Sequence, residues 1–220
     1  RESVTDDLAE LFNLLTGVSK FTGMKELLVA PFNLHMKFIE LIEQETRNAL
    51  AGKPAGIYAK VNSLIEEGII EALYRASCAG VKVRLLVRGM CSLRPGVKGV
   101  SENIEVRSIV GRFLEHSRIF RFENAGDPLL YLGSADWMQR NLFRRVEAVF
   151  PVVAPGMREH VEEILEWFWK DNVKARVMKS DGRYAPRKSN KPPFNAQEEF
   201  LADAQRRRQA RQQAAALDGL

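Results

Sequence analysis

The sequence is short of three things. It has 2 cysteines in 220 residues, Cys78 and Cys91, and their spacing suits neither a disulfide framework nor a thiolate metal site. A reducing, cytoplasmic setting is the expectation that follows. No apolar run approaches the roughly 20 residues that cross a bilayer, and the first residues are polar and acidic, unlike a secretory leader. Only 3 histidines occur, so histidine chemistry is confined to His35, His116 and His160. The chain opens on Arg1 with no initiator methionine, which reads as a piece of something longer.

What is there is ordinary in amount and uneven in placement. Hydrophobic residues make up 45% and charged residues 28%, a mix that excludes wholesale disorder and suits a globular chain of one large domain or two small ones. The net charge is +5. Residues 1–81 carry net −3, and residues 82–150 carry 12 basic and 7 acidic side chains, net +5. Residues 151–169 return to −3, and residues 170–220 reach +6. A basic block inside a folded region points to a polyanionic partner.

Periodicity predicts helices over 6–18, 33–50, 66–79 and 156–169, with Gly80 placed to end the third. Strands are expected over 55–61, 81–87, 104–110, 116–122, 129–132 and 144–153, with a turn at Asn124–Pro128. The run 27–30 is a short apolar segment before Pro31. Helices and strands alternate first and strands cluster later, which predicts an α/β domain with a mixed sheet flanked by helices. No internal repeat is evident. After residue 178 the composition turns polar and proline-rich, so residues 1–178 read as the domain and 179–220 as a basic tail. That tail is expected to be an extended arm and then a solvent-exposed or frayed helix.

Two of the histidines, His35 and His160, lie in predicted helices and read as ordinary helix residues. His116 opens a predicted strand beside Arg112, Arg118 and Arg121. A cationic surround is unfavourable for a structural histidine and suitable for one that meets phosphate; a structural role remains the alternative. Arg88 ends a buried strand, and Arg144 and Arg145 begin another. Strand ends are common ligand positions, and guanidinium groups bind phosphate oxygens in pairs. Glu147 follows Arg145 by two residues on one strand face, as Asn62 follows Lys60.

The segment HSRIFRFE at 116–123 resembles the phospholipase D superfamily signature H-x-K-x-x-x-x-D, with Arg118 in place of Lys and Glu123 in place of Asp. GSAD at 133–136 resembles that superfamily's G-S-x-N element. There the histidine attacks phosphorus and two half-sites build one active site; this chain holds one half-motif.

The stretch from about 24 to 178 resembles the C-terminal catalytic region of the long, bacterial type of polyphosphate kinase. The segments that carry the likeness are LLVAPFNLH (27–35), AKVNSLIEEGIIEALYRASCAGVKVRLLVRGMCSLRPGV (59–97), SENIEVRSIVGRFLEHSRIFRFEN (101–124), GSADWMQRNLFRRVEAVFPV (133–152) and DNVKAR (171–176). The tail is the part it supports least. The resemblance implies a phospholipase-D-like domain, one of two that face each other across a tunnel. It implies ATP and Mg²⁺ as cofactors, ADP as product, and reversible extension of inorganic polyphosphate through a phosphohistidine. That histidine belongs to the other domain, which is missing here, together with the Mg²⁺-associated positions.

By the same resemblance His116 is the second, unphosphorylated active-site histidine. Arg88 is the arginine on nucleotide phosphate, and Arg145 is a phosphate-contacting arginine of the tunnel. Lys60, Asn62, Arg118, Ser134, Asp136 and Glu147 take supporting roles, and no metal ligand is expected. The implied partners are polyphosphate, ATP or ADP and the remainder of the kinase chain, with self-association open and no specific nucleic acid. The location is cytoplasmic, with membrane association of the full enzyme left open.

Phosphoryl transfer needs positioning and cations more than covalent chemistry, and residues 82–150 hold 10 Arg to 2 Lys. Two other readings compete: a homodimeric phospholipase-D-like phosphodiesterase or nuclease, and a non-catalytic polyanion-binding domain driven by Arg206, Arg207, Arg208 and Arg211. On the kinase reading, this fragment alone does not synthesise polyphosphate.

Overall fold

The computed structural model describes residues 2–218. In chain order the elements are α1 (Glu2–Leu15), β1 (Leu28–Ala30), α2 (Leu34–Leu50), β2 (Gly56–Val61), α3 (Glu67–Cys78), β3 (Lys82–Val87), β4 (Ile104–Ile109) and β5 (Arg118–Phe122). They continue with β6 (Leu129–Gly133), α4 (Gln139–Phe143), β7 (Glu147–Pro151), α5 (Pro155–Lys170), β8 (Ala175–Met178), β9 (Tyr184–Pro186) and α6 (Ala196–Asp218). The strands join in one sheet in the order β1-β7-β6-β5-β2-β3-β4-β8-β9. The central pairs β2·β3 and β3·β4 are parallel, and the flanking pairs are antiparallel. The mixed α/β sheet flanked by helices is therefore the one the sequence predicts.

Both faces of the central strands are covered, which explains their nearly continuous apolar character. Ile57, Ala59 and Val61 of β2 face α2 and α3, in one core with Phe38, Leu73, Leu85 and Phe120. Tyr58 points the other way, into a second core with Leu86, Ile119, Leu165 and Phe168 under α5. Helix α3 starts where the Glu66 side chain accepts the Ile69 N–H at 2.7 Å, and Gly80 ends it at φ +94°. Glu45 of α2, buried, accepts the N–H groups of Gly56 and Asn124 at 2.8 and 2.7 Å. Burial pushes its carboxyl up, and those two hydrogen bonds offset part of that push.

Three expectations need correction. Arg144 and Arg145 do not begin a strand: the chain makes the short helix α4 first, and β7 starts at Glu147. The Arg144 N–H still closes a helical hydrogen bond on the Arg140 carbonyl at 3.0 Å, so the backbone there is coiled rather than extended. His116 stands two residues before β5 rather than opening it. The segment after 178 is not simply an extended arm, since β9 pairs with β8, and Phe194 and Phe200 pack into the core under α5. Polar composition hid this docking, which uses few apolar residues and is completed by hydrogen bonds from Phe194 N–H to Asn172 and from Ala196 N–H to Asp171.

Phe38, Phe120 and Trp137 meet at the centre of the larger core, with ring centroids 4.6 to 5.6 Å apart. All three are fully buried. Phe38→Ala should lower the free energy of unfolding by about 4 kcal/mol. Phe12→Ala, on the exposed face of α1, should change it by less than about 0.5 kcal/mol. Urea denaturation of the two variants beside the parent chain checks both.

Candidate functional site

Strand polarity gathers the candidate residues at one end of the sheet. β2 and β3 point toward that end, so Asn62, Ser63, Arg88 and Gly89 follow their last residues. β5 and β7 run the other way, so His116, Arg118 and Glu147 stand at their beginnings. β6 delivers Ser134 and Asp136 just past its end. Together with Arg140, Asn141 and Arg145 these residues line an open cleft of about 420 Å³. Gly89 is needed for the closeness of the β2 and β3 ends: a Cβ there would lie 2.8 Å from the Asn62 carbonyl oxygen.

Asp136 organises the cleft. It is buried and accepts from the Asn62 backbone N–H at 2.7 Å and from Asn62 Nδ2 at 3.1 Å. It also takes Arg118 in two contacts, Nε at 3.3 Å and Nη2 at 3.1 Å. Each of those partners holds a second group. The Asn62 Oδ1 accepts from Arg88 Nε at 2.6 Å, and Arg118 Nη1 donates to the His116 carbonyl at 3.0 Å and lies 3.4 Å from His116 Nδ1. One carboxylate thus orients Arg88 and His116 without touching either.

Glu147, also buried, is saturated in a different way. It accepts from Ser134 Oγ and from Asn141 Nδ2, the latter at 2.6 Å, and lies 3.6 Å from Arg145 Nε. Arg145 is 56% exposed, so Glu147 faces only its Nε edge and the rest of the guanidinium is open to a ligand. Arg88 and Arg140 have no carboxylate partner among the described residues. The cleft therefore carries four guanidinium groups and an exposed histidine against two carboxylates that are already occupied.

Lys60 stands apart from its expected company. It does not line the cleft but lies beneath it, 4% exposed and 4.8 Å over the Phe168 ring. Burial holds its ammonium below the usual lysine range, against the pull of Glu115, and Arg88 and Arg118 add to the lowering. Glu123, the last position of the H-S-R-I-F-R-F-E segment, lies at the far end of β5 and pairs with Arg121 at 2.8 Å. Of the tail arginines, Arg206 and Arg207 pair with Asp203. His35 bonds Glu66 at 3.2 Å and His160 lies 3.7 Å from Glu163, so both have structural partners away from the cleft.

Sequence reasoning missed Arg140, Asn141, Ser63 and Gly89. Arg140 and Asn141 fall within the family-like segment 133–152, which was the signal available. Their direction depends on the helix α4 that strand periodicity did not show. The donor set does not fit a magnesium ion. Asp136 and Glu147 are committed to hydrogen bonds and arginines, and no group of three or more His, Cys, Asp or Glu among the described residues could hold a metal. No helix among the described residues is long and apolar enough to cross a membrane.

The fold is that of a phospholipase-D-like α/β domain. A phospholipase D family member, Nuc from Salmonella typhimurium, superposes with a TM-score of 0.51 over 70% of this chain and 97% of its own, at 16% identity, a likeness of fold alone. The family description "Polyphosphate kinase C-terminal domain 2" matches residues 27–197. Polyphosphate kinase from Pseudomonas aeruginosa is 52% identical over 202 residues, 90% of this chain and 29% of that protein. The crystal structure of polyphosphate kinase from Porphyromonas gingivalis superposes with a TM-score of 0.90 at 36% identity, over 96% of this chain and 32% of that one. The chain belongs to the polyphosphate kinase family, and it spans under a third of the length of these relatives.

Asp136→Ala should leave Arg118, 12% exposed at its side chain, without its counter-charge. Its unfolding free energy should fall by about 3 kcal/mol, read by chemical denaturation, whereas Asp136→Asn should lose less because it keeps one acceptor.

Proposed function

We propose that this chain is the C-terminal catalytic part of an ATP:polyphosphate phosphotransferase. It works reversibly, moving the terminal phosphate of ATP to inorganic polyphosphate. The observation that carries the reading is the convergence of Arg88, Arg118, Arg140, Arg145 and His116 on one cleft whose two acids are already hydrogen-bonded, Asp136 to Arg118 and Glu147 to Asn141. Such a cleft attracts a chain of phosphates and leaves guanidinium groups free for equatorial oxygens.

In this reading Arg88 holds nucleotide phosphate and Arg145 holds phosphate along the polymer path. In transfer, the bond between the γ-phosphorus and the bridging oxygen breaks, and ADP leaves with that oxygen. The phosphoryl group passes to a histidine nitrogen of the preceding domain. A terminal oxygen of polyphosphate then takes it, lengthening the chain by one unit. His116 stands beside the transferring group and supplies a proton or a nearby positive charge as the bridging oxygen departs. Magnesium would enter with the nucleotide and be held by residues outside this chain.

The paired state of Arg206 and Arg207 weighs against a tail that alone drives polyanion binding. Titration calorimetry with long-chain polyphosphate separates the two. Arg88→Ala and Arg145→Ala should each weaken binding on the order of tenfold, with affinity falling as salt rises. Binding that ignores both substitutions and vanishes when residues 206–211 are removed overturns the cleft as the polyphosphate path. The purified 220-residue chain should show no ATP-dependent chain growth by gel analysis of the polymer, since it lacks the phosphorylated histidine.

A further inference from the structure

His116 lies on residues 110–117, a segment with neither helix nor strand. A bare connection of that kind moves unless something holds it. Here alternate residues are tied from behind the cleft. Gln197 Nε2 donates to the Phe113 carbonyl at 2.8 Å and to Glu115 Oε1 at 2.6 Å, and Gln197 Oε1 accepts the Phe113 N–H at 3.0 Å. Glu115 Oε2 lies 3.4 Å from Lys60 Nζ. Lys60 Nζ in turn donates to Ser117 Oγ at 2.9 Å and to the Ser117 carbonyl at 3.2 Å. Residues 113, 115 and 117 are all fixed, and His116 is carried between the last two.

The anchor is itself buried and tied down. Gln197 is 4% exposed, in the first turn of α6. The neighbouring Ala196 N–H is held by Asp171 Oδ2 at 2.9 Å, and Phe200 packs against Phe168, the ring beneath Lys60. A Cβ at Gly111 would overlap the Gln197 carboxamide, so the segment also needs bare backbone to admit it. A carboxamide this deeply buried is costly unless every polar atom is paired, and both of its polar atoms bond one short segment. None of Gln197, Glu115 and Lys60 lines the cleft, so their arrangement is not explained by ligand contact.

We propose that the C-terminal helix α6, acting through Gln197, Glu115 and Lys60, is the device that positions His116. Gln197 is a positioning residue in a part of the chain whose composition suggests a tail. The same clamp neutralises Glu115, which would otherwise set a free negative charge one residue from the histidine that meets phosphate. This inference rests on the role given to His116 above.

Steady-state kinetics of the full-length kinase carrying this domain test it. A displacement near 1 Å at a reacting group costs up to about a hundredfold. Gln197→Ala should therefore lower kcat by about 10- to 100-fold and leave the KM for ATP, set by Arg88, within about twofold. Gln197→Glu sets two carboxylates face to face. At neutral pH they repel, and on acidification one binds a proton and becomes the missing donor.

The rate of Gln197→Glu relative to the parent, normalised at each pH to the folded fraction read by circular dichroism, should rise as pH falls from about 8 to about 6. An unchanged kcat in Gln197→Ala overturns the positioning role, as does a ratio for Gln197→Glu that is flat with pH. His116→Ala in the same assay separates the two levels. If it abolishes the rate while the Gln197 variants behave as the parent, only the positioning role falls. If it leaves the rate unchanged, the reading of the cleft falls and this inference with it.

Discussion

The site depends on one buried carboxylate. Asp136 accepts from the β2 end through Asn62 and from the β5 end through Arg118, and so fixes the distance between two strands where their ladder stops. Its position is set by the core below it. Trp137, the next residue, is fully buried against Phe38 and Phe120, and its carbonyl accepts the N–H groups of Ile65 and Glu66 at 2.9 and 3.0 Å. The aromatic cluster thus places the backbone, the backbone places Asp136, and Asp136 places Arg88 and His116. An ion pair buried this way contributes little net stability, and its worth here lies in geometry.

The cleft combines cations that are oriented with cations that are free. Arg118 is committed to Asp136, whereas Arg88 spends one nitrogen on Asn62 and Arg145 makes a long contact to Glu147. The planar fork of arginine allows this division, with one edge held by the protein and the other left for a ligand. Lysine could not serve both purposes, which fits the preference for arginine in residues 82–150. Lys60, the one buried lysine among the described residues, is used inside the protein, where its charge is balanced by Glu115.

Much of this was legible in the sequence. The α/β class followed from alternating periods, and the family followed from long ordered segments. The residues His116, Arg88, Arg145, Asn62, Arg118, Ser134, Asp136 and Glu147 do line a single cleft. Lys60 was singled out but sits under the cleft, because β2 alternates sides and its position faces α5. Arg140 and Asn141 were overlooked because a five-residue helix, α4, is too short for periodicity to register. Gln197 was overlooked because a glutamine in a polar, helix-prone run carries no local sign of burial.

By itself, then, the sequence determined the elements whose stabilisation is repetitive: helices and strands that bury every third or second residue, and the basic block between them. Local periodicity suffices there because each turn or pair of residues repeats the same burial. Tertiary structure alone decided which strand ends meet, that Asp136 lies between Asn62 and Arg118, and that Gln197 reaches Phe113 across 84 residues of chain. Those contacts are a few hydrogen bonds and one ion pair between distant segments. They have no period to read, and they exist only once both cores have packed.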